Sequence, residues 1–233
     1  MMLLEEMNWK EIELALERTQ TVILPVGATE EHGPHLPTFT DTLQAVEVAK
    51  EVARRRDVFV APPLHYGVCK STRGFPGTIS ISEEALRMLI HDVLTGLSDS
   101  GFKNVLILTG HAGRQHISAI KEACEKVLLK RNIRISLVSD FDLIDKEGVV
   151  TPGDGHAGEI ETSRILFLRE DLVKGQPELH FPKLPKYLLQ RDVRHLMGIG
   201  IIGDPSRASR EKGQGFFEMA VDGVLSALEE LES

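Results

Sequence analysis

Four short runs of mostly apolar residues, Thr21–Val26, Val58–Ala61, Asn104–Thr109 and Arg134–Ser139, limit what this chain can fold into. Each is rich in Val, Ile or Leu, bounded by turn residues and too short for a helix, as strands buried on both faces are. Helical patterns alternate with them. Leu86, Leu89, Ile90, Val93, Leu94 and Leu97 form one apolar stripe, opened by Ser82 as N-cap with Glu83 and Glu84 in the first turn, and Gly101 stands where that helix would end. Ile117, Ile120, Cys124, Val127 and Leu128 make a second stripe, and Phe217, Ala220, Val221, Val224, Leu225 and Leu228 a third. The alternation predicts an α/β fold: a mostly parallel sheet with helices on both faces. Pro25 opposes the first strand mildly, because it has no N–H to give a ladder.

Residues 171–215 read differently. Pro177, Pro182, Pro185 and Pro205, with Gly198, Gly200 and Gly203, predict loops and short elements there. With no repeat or low-complexity tract, the 233 residues are expected to form one domain spanning 1–233.

Charge and cysteine usage narrow the chemistry. A formal charge of −8 argues against a nucleic-acid partner, and the one compact basic cluster, Arg54-Arg55-Arg56, falls where it would complement a helix C-terminus. The acidic start Met1-Met2-Leu3-Leu4-Glu5-Glu6 does not resemble a signal peptide, and no apolar run approaches the roughly 18 residues of a membrane span. A cytoplasmic protein acting on a small molecule is expected. Cys69 and Cys124 are too few for a thiolate metal cluster, so any metal is expected to use imidazole and carboxylate.

Open α/β sheets bind ligands beyond the carboxyl ends of their strands, and three loops there carry reactive residues. After the first strand comes Gly27-Ala28-Thr29-Glu30-Glu31-His32-Gly33-Pro34-His35-Leu36-Pro37, then Asp41 at the start of a helix. Glu30 and His32 share a face in extended backbone, and the Gly-Pro turn can bring the chain back to deliver Asp41, a carboxylate suited to bridging two cations. Singly, these are ordinary surface acids, a loop histidine and an N-cap; packed together in a Gly/Pro-rich loop, they point to ligands. The third strand ends in Gly110-His111-Ala112-Gly113, which makes His111 the natural partner, whereas His116 reads as a solvent or packing histidine.

The third loop, Gly153-Asp154-Gly155-His156-Ala157-Gly158-Glu159-Ile160-Glu161, contains a literal G-x-G-x-x-G. That pattern would signal a dinucleotide site only if a strand led into it, and residues 147–152 make a poor strand, so a dinucleotide-binding oxidoreductase is the weaker reading. His156 with Glu159 and Glu161 reads instead as acid/base and ligand equipment. No nucleophile elbow or P-loop is present, which leaves a metal-activated water as nucleophile, with Zn, Mn or Fe(II) suiting such ligands. A metal-binding protein without turnover is the other alternative.

Through Pro25-Val26-Gly27, Glu30 to Pro37, Asp41, Gly110-His111 and His156 to Ser163, with Gly74-Phe75-Pro76-Gly77-Thr78 and Gly203-Asp204-Pro205, the chain resembles the creatininase (creatinine amidohydrolase) family. The resemblance implies a three-layer α/β/α fold, two divalent ions per subunit, cleavage of an amide-type C–N bond and a homohexamer whose loops bury the active site. It implies that Glu30, Asp41 and His111 hold one ion and that His32 and Asp41 hold the second. Creatininase adds a glutamate where this chain has Gly113, and Glu159 is the expected replacement. His156 matches the family's general acid/base and Glu161 the acid beside it. Creatininase grips its ring with tryptophans, whereas Trp9, the only tryptophan here, lies before the first strand, so the resemblance implies an amidohydrolase without fixing creatinine, a formamide or a peptide as its substrate.

Overall fold

A computed structural model describes residues 1–147, 150–175, 177–183, 185, 187–188 and 193–233. Among the described residues a five-stranded, wholly parallel sheet runs in the order β1-β3-β2-β4-β5. The strands are β1 (Met2–Leu3), β2 (Thr21–Val26), β3 (Phe59–Val60), β4 (Asn104–Thr109) and β5 (Arg134–Ser139). The helices are α1 (Trp9–Leu16), α2 (Thr40–Arg55), α3 (Glu83–Asp99), α4 (Arg114–Leu128), α5 (Glu159–Arg169), α6 (Arg194–Met197) and α7 (Arg210–Glu232).

The side-chain period of two sorts the central strands between two cores. Val22, Leu24 and Val26 of β2 join Val105 and Ile107 of β4 on one face, against Ala15 of α1, Leu86, Ile90 and Leu94 of α3, and Ile120 and Val127 of α4. Ile23, Leu106 and Leu108 enter the other, against Ala45, Val48 and Val52 of α2 and Phe217, Val221 and Val224 of α7. The chain is thus the three-layer α/β/α fold the sequence pointed to. Each fully buried Leu or Ile in these layers contributes roughly 1.5–3 kcal/mol by leaving water.

Local signals read from the sequence hold where side chains meet backbone. Ser82 caps α3 by accepting the Ala85 N–H at 3.0 Å, and Gly101 follows that helix with φ +103°. Pro25 is tolerated because its missing N–H lies on the β3 side of β2, where the regular ladder has ended. There the Pro25 carbonyl accepts Leu64 N–H at 3.0 Å, and in a parallel strand a residue's N and O point the same way. Other expectations need correction. The strand expected over Val58–Ala61 is only Phe59–Val60, and Leu89 and Leu128 of the apolar stripes are 39% and 46% exposed. Short β1 and α1 carry too little pattern to have been predicted, and α7 begins at Arg210, inside the stretch expected to be irregular.

Candidate metal centre

The reactive loops leave the carboxyl edge of the sheet: residues 27–39 after β2, 110–113 after β4, and 140–147 and 150–158 after β5. The first folds back on itself, Glu30 N–H donating to the Thr38 carbonyl at 3.0 Å, so that α2 starts beside the loop that precedes it. Gly110 lets the second loop meet that start, since a Cβ there would lie 2.1 Å from the Asp41 carbonyl oxygen. Asp41 therefore sits between β2 and β4 in the first turn of α2, and it is not the N-cap, which is Phe39.

Two groups of ligand-type atoms meet at Asp41. On one side His32 Nε2 lies 2.9 Å from Asp41 Oδ1 and 3.6 Å from Glu161 Oε1. On the other, His111 Nδ1 lies 2.9 Å from Glu30 Oε1 and 3.2 Å from Asp41 Oδ2. All of these side chains are essentially buried. Yet His32 Nε2 and Asp41 Oδ2 lack a hydrogen bond of acceptable geometry: the donors converge on shared points rather than bonding one another. Buried, unsatisfied polar atoms are costly, and a metal ion is what this donor set fits.

Backbone carbonyls fix each imidazole. His32 Nδ1 donates to Glu30 O at 3.1 Å, leaving Nε2 for the first group; His111 Nε2 donates to Val68 O at 3.1 Å, leaving Nδ1 for the second. Burial alone would lower the pKa values of both rings, but Asp41 with Glu161 raises His32 well above its ordinary value, and Glu30 with Asp41 does the same to His111. Glu30 and Asp41 are held down in turn, against their burial, chiefly by His111 and His32. Raised imidazoles beside lowered carboxylates mark a place that favours positive charge, and a metal bound there would displace protons.

His156 faces the same cleft. Its Nε2 donates to the Glu31 carbonyl at 2.7 Å with the Glu31 carboxylate 3.3 Å away, while Nδ1 lies 3.9 Å from Glu30 Oε1. Burial and neighbouring His32 oppose its charging, but the Glu31 contact raises its pKa. A loop the sequence marked only as turns holds this residue from behind. Ile202 N–H donates to the His156 carbonyl at 2.7 Å, and Gly155 N–H to Ile202 O at 2.8 Å. Gly200, at φ +75°, passes so close to the Glu31 carboxylate that a Cβ would lie 1.9 Å from Oε2.

The N-terminus of α5 corrects two expectations. Glu159 does not turn to the metal groups: its Oε2 accepts Thr151 N–H at 2.8 Å and Thr151 Oγ1–H at 2.6 Å, and its Oε1 is paired with Lys212 of α7. Glu161, two residues on and so on another face of the helix, supplies the carboxylate beside His32. Its Oε2 is tied by Ala157 N–H at 2.5 Å, which leaves Oε1 free to face inward. The dinucleotide reading fails at the same place. Asp154 accepts Glu159 N–H at 2.6 Å and Ile160 N–H at 3.1 Å, so the amides that would hold a pyrophosphate are taken. No strand leads in among the described residues, though Gly148 and Val149 lie outside them.

His116 is a packing histidine, not a solvent one. It is fully buried, its ring edge meets His111 at 4.8 Å, and Val68 N–H donates to its Nδ1 at 3.3 Å. The sequence reading missed the 67–72 loop altogether: Thr72 Oγ1 donates to the Glu30 carboxylate, and Cys69 lies beside Glu30 and His111. A lone Thr or Cys in a loop gave no signal. Burial pushes the Cys69 thiol up, with Glu30 and Asp41 adding to it.

A cleft of about 190 Å³ opens onto the two groups, lined by Glu30, Asp41, His111, Phe141, His156 and Glu161 among others. Trp9 is 67% exposed and does not line it.

The comparisons agree with this geometry. The creatininase family model, described as creatinine amidohydrolase, matches residues 5–228. The chain is 35% identical over 220 residues to the mycofactocin precursor peptide peptidase of Mycolicibacterium smegmatis, with 89% of this chain and 83% of that protein covered. It is 29% identical over 253 residues to the creatinine amidohydrolase of Pseudomonas putida, covering 97% and 95% of the two. A solved structure described as creatininase Mn superposes with a TM-score of 0.91 at 27% identity, over 99% of each chain. With the family's motifs gathered around one cleft in the family's fold, this chain belongs to the creatininase family of metal-dependent amidohydrolases.

Proposed function

We propose that this protein hydrolyses a small or chain-terminal amide at a centre for two divalent ions, Zn, Mn or Fe, with Asp41 as the residue common to both ligand groups. The observation that carries this reading is the division of the Asp41 carboxylate, Oδ1 toward His32 and Oδ2 toward His111. Glu30, Asp41 and His111 would hold one ion, and His32, Asp41 and Glu161 the other. The bound pair would acidify a water and polarise the substrate carbonyl.

The protein's own part is positioning and proton transfer. With Nε2–H committed to the Glu31 carbonyl, His156 presents Nδ1 to the cleft; in its neutral form, which the charge of bound ions would favour against the pull of Glu31, that nitrogen would take a proton from the attacking water and give it to the leaving nitrogen. Glu31 and the Gly200 turn keep the ring in that tautomer and place. The small cleft supports a substrate of few atoms or the end of a longer one. The absence of tryptophan from its lining supports a substrate other than a flat ring clamped between indoles.

The likeness to creatininase also supports a homohexamer, and exposed Trp9 and Leu14 of α1 offer an apolar surface for such packing. No helix among the described residues is long and apolar enough to cross a membrane. A metal assay followed by a panel of cyclic amides, formamides and short peptides, with and without chelator, tests the whole reading. Turnover that chelator abolishes and metal restores is the expected result; stoichiometric metal with no turnover on any amide would oppose it.

A further inference from the structure

We propose that Cys69 is a thiolate ligand of the ion held by Glu30 and His111. The proposal rests on the two-ion reading above but concerns a residue that reading does not use. One donor atom each from Glu30, Cys69 and His111 lie within 4.8 Å of one another, and all three side chains are buried. Around a tetrahedral zinc, with bonds of about 2.0–2.3 Å, such atoms stand about 3.6 Å apart, so binding requires closure of about an ångström or less.

The loop that carries Cys69 is fitted to this ion. On one side of Cys69 the Val68 carbonyl accepts His111 Nε2–H; on the other, Thr72 Oγ1 donates to the Glu30 carboxylate. Cys69 N–H itself donates to Ser80 Oγ at 2.9 Å, which pins the backbone beneath the sulfur. Asp41 Oδ2, buried and without a hydrogen-bond partner, faces the same group. Gly113 supplies no ligand: it has no side chain, and a Cβ there would lie 2.5 Å from His111 Nε2.

Binding breaks the S–H bond heterolytically: the proton leaves to solvent and the sulfur keeps the electron pair it gives to the metal, with no redox change. A soft thiolate on one ion and none on the other makes the two sites unequal. The Cys69 site should favour zinc, cobalt or cadmium, and the His32–Asp41–Glu161 site, with two carboxylates, should accept manganese more readily.

Cobalt(II) titration of the metal-free full-length protein tests this without any substrate. The first equivalent should produce a near-ultraviolet thiolate-to-cobalt charge-transfer band, present also in Cys124→Ala and lost in Cys69→Ser, while the visible d–d bands persist. Visible bands without the charge-transfer band in the unmodified protein, or a band that survives Cys69→Ser, would overturn the proposal. Absence of all cobalt bands would instead strike at the two-ion reading. Because Cys69→Ser could fail to fold, zinc X-ray absorption on the unmodified protein gives a second readout: one sulfur at about 2.3 Å is expected, and a shell of nitrogen and oxygen alone at about 2.0–2.2 Å would refute it.

Discussion

The cleft and the seam between α5 and α7 both bury carboxylates, and they do so in opposite ways. In the seam, Glu159 is saturated by Thr151 N–H, the Thr151 hydroxyl and Lys212, and the helix start beside it is capped by Asp154. In the cleft, Asp41 and His32 lie against opposite charges without bonding them well, and Glu161 keeps one oxygen pointed inward. A buried acid whose every lone pair is satisfied holds the fold together; buried acids that converge on shared points await a cation. Glu161 follows Glu159 by only two positions, so the helix period turns their carboxylates to different sides.

The sharpest way to break this contrast is to remove the acid common to both ion groups. Asp41→Asn should bind fewer than one ion per chain and lose about 10⁴-fold in kcat/KM, roughly 5 kcal/mol, as read by metal analysis and steady-state kinetics on whichever amide the panel identifies. Retention of both ions would mean that the groups do not depend on Asp41. Glu161→Gln should come next, with one ion lost and activity down about 10³-fold. If metal content stays at two, Glu161 belongs with Glu159 as a structural acid. His156→Ala should keep both ions while kcat falls about 10²-fold, since only proton transfer is removed; loss of metal from this variant would merge its role with that of the ligands.

Stability measurements sharpen the same contrast at smaller magnitude. Burial, with His32 nearby, lowers His35 to about 4, and burial, with His111 nearby, lowers His116 to about 3. Both are therefore neutral in the folded state at pH values where the unfolded chain, with histidines near the usual value of about 6.5, begins to protonate. The unfolded state binds more protons, so the contribution of these two rings is complete above about pH 6.5 and is lost as pH falls toward 4. The unfolding free energy of the metal-free protein, from urea titrations, should drop over that interval by on the order of 2 kcal/mol, and a flat profile would contradict the neutral, packed state of both rings. The smallest effect belongs to the seam: Glu159→Gln should cost about 1 kcal/mol of stability and leave metal content at two ions.

Much of this arrangement was legible in the sequence, for identifiable reasons. Continuous Val/Ile/Leu runs can only be strands covered on both sides, and the Gly/Pro-rich loop with Glu30, His32 and Asp41 had no packing explanation. The division of labour on α5 was not legible, because Glu159 and Glu161 look alike until Lys212, 53 residues after Glu159, claims one of them. Cys69 and Thr72 were silent for a related reason: their neighbours Glu30 and His111 lie 42 and 43 residues from the contacts they make with that loop. Motifs reveal ligands that are close in sequence; those brought in by tertiary packing alone leave no trace there.

Anomalous X-ray scattering from crystals of the zinc- or manganese-loaded protein tests the central claim most directly. Two peaks about 3.5–4 Å apart, one on each side of the Asp41 carboxylate and with Glu161 beside one of them, are the expected result. A single peak, or one seated on Glu159 in the α5–α7 seam, would contradict it.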